Sequence, residues 1–201
     1  MKESIINRSV KLINSKYDHD NDTMDRIRYG LEIIYITVTK LGVIFFVAWI
    51  CGLLKETLLL CLFVNGLRPF AYGAHAKEGW QCYVSSIFAF ILMPYVFGFI
   101  TFFPYQKIIL SILTILSMFL YAPADTHKRP IINAKQRSRL KTMSLLMSVI
   151  YSILILVIKN EMITNLMLLA MLTQSFLINP FIYKIFKLPF DNYKTYLNRG
   201  V

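Results

Sequence analysis

The sequence is short of charge, cysteine and histidine, and each shortage excludes something. Only 16% of its 201 residues are charged, against roughly one-quarter in soluble domains, which argues against a surface built for water. Acidic residues are the scarcer kind: 11 Asp and Glu stand against 22 Lys and Arg, for a net charge of +11. Three cysteines do not suggest a disulfide framework; Cys51 and Cys61 lie inside apolar runs and read as small buried hydrophobes. The three histidines are His19, in the polar stretch YDHDND, His127, in a basic loop, and His75. With no His-Glu-x-x-His, no Cys-x-x-Cys and no carboxylate cluster, neither a metal nor a cofactor is expected. The serine elbow, the phosphate-binding loop and the dinucleotide glycine motif are also absent. The first 30 residues have no apolar core of a signal peptide, so no cleavable leader is expected.

What is abundant is apolar. The chain is 56% hydrophobic with a mean hydropathy of +0.54, and its charges gather in a few loops, as in a membrane protein. The expected partner is therefore a lipid bilayer, not a nucleic acid. Apolar runs lie at 33–54, 83–103, 106–122, 143–158 and 162–182, several near the ~20 residues needed to cross the hydrocarbon. The stretch 57–76 is as long but holds Asn65, Arg68 and His75.

The positive charges decide its assignment. Six Lys and Arg fall in 1–30, six in 123–142 and four after 183, and the positive-inside rule puts all three groups in the cytoplasm. An even number of crossings must then separate the first two groups, so 57–76 is counted in. Six spans result, with both termini cytoplasmic. One rival treats 41–64 as a single span burying Lys55 and Glu56; another makes 57–76 re-entrant. The expected fold is an all-α polytopic membrane protein of six transmembrane or partly re-entrant helices. Ile5, Ile6, Val10 and Ile13 add an N-terminal amphipathic helix at the interface, either a surface anchor or a platform for an anionic partner. The whole chain reads as one integral-membrane domain, 1–201: a cytoplasmic amphipathic segment 1–30, transmembrane helices over 31–182 and a cytoplasmic tail 183–201.

The reactive side chains sit in GLRPFAYGAHAKEGWQCYVSS, residues 66–86. On one straight helix His75 and Cys82 would be about 10.5 Å apart along the axis, too far to touch. Gly73 and Gly79 permit a break. His75 would then end one helix and Cys82 would lie in the first turn of the next, where the helix dipole favours a thiolate. A nucleophile with its base is one reading; a small buried Cys and a satisfied His is the other. Arg68, inside a span, marks function by default. It lies on the face of His75 if the helix continues, although Pro69 can kink it; pairing within the bundle is the alternative. For an oxyanion the candidates are the backbone N–H of Cys82 and the side chains of Gln81, Ser85 and Ser86. Asp125 is a possible third member beside His75, although nothing in the sequence brings it there.

RPFAYGAHAKEGWQCYVSSI resembles the signature of the accessory gene regulator B (AgrB) family of membrane cysteine endopeptidases. YAPADTHKRPI, 121–131, followed by a basic run, resembles that family's second segment, and the hydrophobic profile agrees over essentially the whole chain. The resemblance implies a single peptidase domain in the bacterial cell membrane, acting in quorum sensing on an AgrD-type propeptide with an acidic C-terminal tail. The tail is removed at the cytoplasmic face, and the acyl-enzyme thioester passes to a cysteine of the peptide to close a thiolactone. By this resemblance Cys82 is the nucleophile and His75 the base, Arg68 and Gly73 match positions needed for activity, and a homodimer is implied. From a different class, a small permease or peptide exporter without protease activity competes, with Arg68 and His75 lining its path.

Overall fold

The computed structural model describes residues 2–14, 21–74, 79–126 and 131–197. They form ten α-helices and one π segment: α1 (Lys2–Asn14), α2 (Asn21–Ile50), α3 (Leu54–Ala71), α4 (Gly79–Ile87), the π segment (Phe88–Leu92), α5 (Met93–Gly98), α6 (Pro104–Tyr121), α7 (Ala134–Val157), α8 (Glu161–Ile178), α9 (Pro180–Ile185) and α10 (Asn192–Leu197). No strand occurs among the described residues, as a bilayer demands of any span that is not a closed barrel. The protein is an all-α polytopic membrane protein. Five helices, Thr23–Ile50, Gln81–Gly98, Pro104–Tyr121, Ala134–Val157 and Glu161–Ile178, are long and apolar enough to cross a membrane. The expected crossing at 57–76 is the helix α3, which carries Lys55, Glu56 and Arg68 and is not among those five.

Element ends depart from the apolar runs for local reasons. The run 33–54 stops at Ile50, because Gly52 takes φ 69°. The N–H of Gly52 then reaches Trp49 O (3.1 Å) and that of Leu53 reaches Ala48 O (2.8 Å), the two bonds of a Schellman cap. That break also rules out one continuous span over 41–64. Helix α2 begins at Asn21, so 21–30 runs into the long helix without a break. Helix α7 begins inside the basic cluster, where Asn133 Oδ1 accepts the N–H of Lys135 (2.9 Å) and Gln136 (3.2 Å). The run 162–182 is cut at Asn179-Pro180: α8 ends at Ile178 and Asn179 caps α9 through the N–H of Phe181 (2.9 Å), because a residue before proline is driven out of the helical region.

The chain divides into two compact units, 1–47 and 48–201. In the first, α1 is the expected N-terminal helix; Ile6 is buried, Val10 and Ile13 are partly buried and Ile5 is exposed. The portion of α2 in this unit exposes Ile34, Val38 and Phe46, a surface suited to lipid.

In the second unit α8 is the central helix. Leu166 to Met171 are buried without interruption, so it is covered all round, with α3, α5, α6 and α7 packed against it. Their outward faces, such as Ile108, Ile112, Leu116 and Leu120 on α6 or Leu146, Val149 and Ile153 on α7, are apolar and exposed. Lipid tails are as apolar as these side chains, so close packing, not water exclusion, holds such a bundle. Accordingly the buried faces of α6 and α7 carry small hydroxyl residues, Ser111, Thr114, Ser144 and Ser148. Three of these four hydroxyls donate within their own helix, Thr114 to Ser111 O (2.8 Å), Ser144 to Lys141 O (2.9 Å) and Ser148 to Ser144 O (2.8 Å). Pro94 cannot donate to the carbonyl four residues back, Phe90 O. The buried Thr57 hydroxyl of α3 donates to that oxygen instead (2.9 Å), which ties the π segment to the bundle.

Gly66 shows how tight the packing is. The Tyr151 hydroxyl of α7 donates to Phe63 O (3.0 Å) and fills the space where a Cβ at residue 66 would lie, only 2.2 Å away. Gly66→Ala is expected to destabilise the bundle by about 1–3 kcal/mol, as overpacking does. Tyr151→Phe in that background should recover much of the loss, although alone it costs about 0.5–1.5 kcal/mol of hydrogen bond. Thermal unfolding of the four proteins in detergent measures this; additive losses would contradict the contact.

Candidate active site

Helix α3 ends in an unusual turn. Tyr72 takes φ 58° and ψ −138°, and Gly73 takes φ 125°, so two successive residues lie at positive φ. Nearly every polar backbone group there is used. The N–H of Tyr72 closes the helix on Arg68 O (2.9 Å), Gly73 N–H donates to Ala124 O (3.0 Å), Ala124 N–H donates to Ala71 O (3.0 Å) and Ala74 N–H donates to Leu177 O (2.8 Å). The Gln174 amide donates to Tyr72 O. Tyr72 and Ala124 thus form an isolated parallel bridge. This joins the AYGA part of the first sequence signature to the PAD part of the second, while Ala74 caps the carbonyl end of α8. Only glycine fits at 73: a Cβ there would lie 3.0 Å from Leu177 O, and the backbone is left-handed.

Arg68 is placed by the same turn. Because α3 stops at Ala71, the guanidinium does not lie on a helix face continuing toward residue 75. It folds forward, and its Nη2 donates to Ala74 O (3.2 Å). There it interacts electrostatically with Tyr183 and Cys82. Cys82 is in the first turn of α4, as the glycine break implied, and is partly buried. An anion is favoured at this end of a helix. Gln81 beside it is partly buried and Ser86 buried, whereas Ser85 is exposed and gives its hydroxyl proton to Cys82 O (3.2 Å). His75, with Lys77 and Glu78, lies in 75–78, outside the described residues, as do His19 and His127.

Asp125 has partners that the sequence did not suggest. It is buried. Its Oδ1 accepts the N–H of Asn192 (3.1 Å) and its Oδ2 those of Tyr193 (2.9 Å) and Ile131 (3.4 Å). It therefore caps the N-terminus of α10 from 67 residues away. Burial raises its carboxyl above the ordinary aspartate value, against the opposing pull of those N–H groups and of the Arg137 charge. The Tyr183 hydroxyl is shared between Ala124 O (3.1 Å) and Asp125 O (3.2 Å); burial, with Asp125 nearby, pushes this phenol far upward. The Arg137 guanidinium stacks on Tyr193 at 3.6 Å. Residues 183–193 thereby clamp the 122–126 loop against the turn at 72–74.

The sequence reading missed Gln174, Tyr183 and the Leu177 carbonyl. Gln174 left one signal: it is an amide within an otherwise apolar run, where polar residues mark function. Nothing local flags a backbone carbonyl.

The profile of the family Accessory gene regulator B matches residues 6–178. A protein named AgrB-like from Clostridium acetobutylicum is 30% identical over 196 residues, covering 96% of this chain and 94% of its own. One from Listeria monocytogenes is 32% identical over 189 residues, 93% and 92% of the two chains. Accessory gene regulator protein B of Staphylococcus saprophyticus is 30% identical over 185 residues, 87% and 97%. No solved structure matches this chain.

Two substitutions test the interlock. Gly73→Ala should cost about 1–3 kcal/mol, the range for a backbone held in a sparsely populated conformation, and loosen 71–74 in hydrogen exchange. Asp125→Ala leaves three N–H groups without their acceptor, each loss being worth about 1–3 kcal/mol if the group stays buried. Limited proteolysis should then cut the 186–197 segment at protease concentrations the parent survives; an unchanged digest would refute the capping role.

Proposed function

Because this chain belongs to the accessory gene regulator B family, whose role is the processing of quorum-sensing autoinducers, we propose that it is a membrane cysteine endopeptidase acting on an AgrD-type propeptide. In this reading Cys82 is the nucleophile and His75 the general base. His75 takes the proton from Cys82 Sγ, and the thiolate attacks the scissile carbonyl carbon. The C–N bond then breaks, the imidazolium returns the proton to the departing amine, and the acidic tail leaves. The remaining acyl group is a thioester on Cys82. A cysteine thiolate within the peptide attacks that acyl carbon, Cys82 leaves as thiolate, and a thiolactone closes without any redox change. Water must stay out during this transfer, which suits a site set among apolar helices.

The observation that carries the reading is the turn at 72–74. It binds the two signature segments to each other and anchors the Arg68 guanidinium on Ala74 O, within electrostatic range of Cys82, which occupies the first turn of α4. Arg68 supplies a fixed positive charge where a thiolate and then an oxyanion develop. Gly73 is the backbone position that makes the turn possible. The Cys82 N–H, Gln81 and Ser86 are the candidate oxyanion donors; Ser85 already gives its proton to its own helix.

The topology follows the charges. Counting α3, there are six crossings, both termini are cytoplasmic, and the chain works as one domain in a bacterial cell membrane, as a homodimer. Two of the polar residues of α3 have backbone partners, since Asn65 donates to Cys61 O (2.8 Å) and Arg68 to Ala74 O.

Co-expression with an AgrD-type propeptide provides the test. Cys82→Ala and His75→Ala should each lower cleavage by a factor on the order of 10⁴ or less than that only where background hydrolysis sets the floor, with protein level and membrane insertion unchanged. A hydroxylamine-sensitive adduct between Cys82 and the peptide should be trapped when the peptide's own cysteine is replaced by alanine. Cleavage that survives Cys82→Ala sinks the protease reading in favour of transport. Maleimide labelling of residue 82 should proceed from the cytoplasmic side; labelling from outside alone would overturn the six-crossing topology.

A further inference from the structure

Gln174 is completely buried in α8, one turn before the Leu177 carbonyl that Ala74 caps. Its Nε2 donates to Tyr72 O, while its Oε1 is buried without a hydrogen-bond partner among the described residues. A leucine or methionine of similar volume would remove that orphaned Oε1 but leave Tyr72 O without its donor, so packing alone does not explain an amide here. The backbone it touches does.

The peptide plane between Tyr72 and Gly73 is held at both ends, by Gln174 on the Tyr72 carbonyl and by Ala124 O on the Gly73 N–H. Its orientation is the disfavoured one. Tyr72 at φ 58°, ψ −138° lies in a region that residues with a Cβ avoid. A half-turn of that single plane would take Tyr72 ψ to about +42° and Gly73 φ to about −55°, an ordinary left-handed helix cap followed by a relaxed residue. The flip would leave the path of the chain nearly unchanged but break both bonds, and so release the 122–126 loop from the turn on whose Ala74 O Arg68 is anchored. We propose that Gln174 is a positioning residue for the cleavage reaction: it holds the 72–73 peptide plane in its strained orientation, and with it the docked 122–126 loop and the turn that anchors Arg68. This rests on the cysteine-peptidase reading above.

The experiment uses the full chain in proteoliposomes and the propeptide that the wild-type protein cleaves, with Cys82→Ala run in parallel. Gln174→Met should lower kcat about 10²-fold, the loss typical of a small misplacement of reacting groups, with KM near the wild-type value. Its thermal stability should not fall in proportion, and hydrogen exchange over 71–74 should rise. Gln174→Glu can donate to Tyr72 O only when its carboxyl is protonated. Its rate relative to wild type should therefore climb as pH is lowered, while the Gln174→Met ratio stays flat. A residue that only supports the fold would lower stability and show no such pH-dependent rescue. Wild-type kcat in Gln174→Met, or an unmoved exchange pattern at 71–74, overturns the assignment and leaves the peptidase reading intact. Equal cleavage by Cys82→Ala removes both.

Discussion

The contact between Gly73 and the carbonyl end of α8 is the constraint on which the rest of this site depends. Helix α8 must terminate somewhere, and a helix end leaves carbonyls without partners. One of them, Leu177 O, is met by the Ala74 N–H (2.8 Å), which requires the α3 chain to pass within van der Waals distance of α8. A side chain at residue 73 would prevent that approach. The same passage exposes the Ala71 carbonyl and the Gly73 N–H to Ala124, so the 122–126 loop docks there, and Asp125 in turn gathers the start of α10. Four segments distant in sequence meet through bonds that all trace back to one missing Cβ.

Burial explains why the meeting point is so fully bonded: Ala71, Ala74, Ala122, Ala124 and Asp125 are all buried, and a buried backbone group left unpaired costs about 1–3 kcal/mol. Among the described residues of the site, the irregular stretches 72–74 and 122–126 are the ones that bond to each other, to a helix end and to buried side chains. Elsewhere in the same unit polar side chains bond either within their own helix, as with Asn65 on Cys61 O and the serines of α7, or singly to a neighbouring element, as with Tyr151 on Phe63 O and Lys107 on Thr164. The strained turn is thus stabilised by its surroundings, which is the usual condition for strain at a functional site.

Much of this was legible in the sequence because hydropathy and charge are collective properties of long segments. The helical class, the N-terminal helix, a helix break before Cys82 and its place in a first turn all followed from runs, clusters and glycines, although α3 ends at Ala71 and not at His75. Helix ends were less legible: Ile50 and Ile178 are fixed by Gly52 and by Asn179-Pro180, single residues that a hydropathy window averages away. Least legible were pairings at long range. Nothing in the sequence showed that Asp125 would accept backbone N–H groups 67 and 68 residues later. Arg68 looked aligned with His75 only while α3 was imagined to continue. Gln174 went unnoticed because its partner, the Tyr72 carbonyl, lies 102 residues away.

The π segment sets the angular phase of the cysteine. A regular helix advances about 100° per residue, and one π turn inserts a residue without adding a turn. The face that α4 presents is therefore offset by about 100° from the one that a wheel drawn straight back from α5 would assign to it. Thr57, by holding Phe90 O, fixes the point at which that offset enters. The direction in which Cys82 faces is accordingly set by the residue count between it and Pro94 as much as by its own neighbours, and the helix would tolerate a change of composition there far better than a change of length.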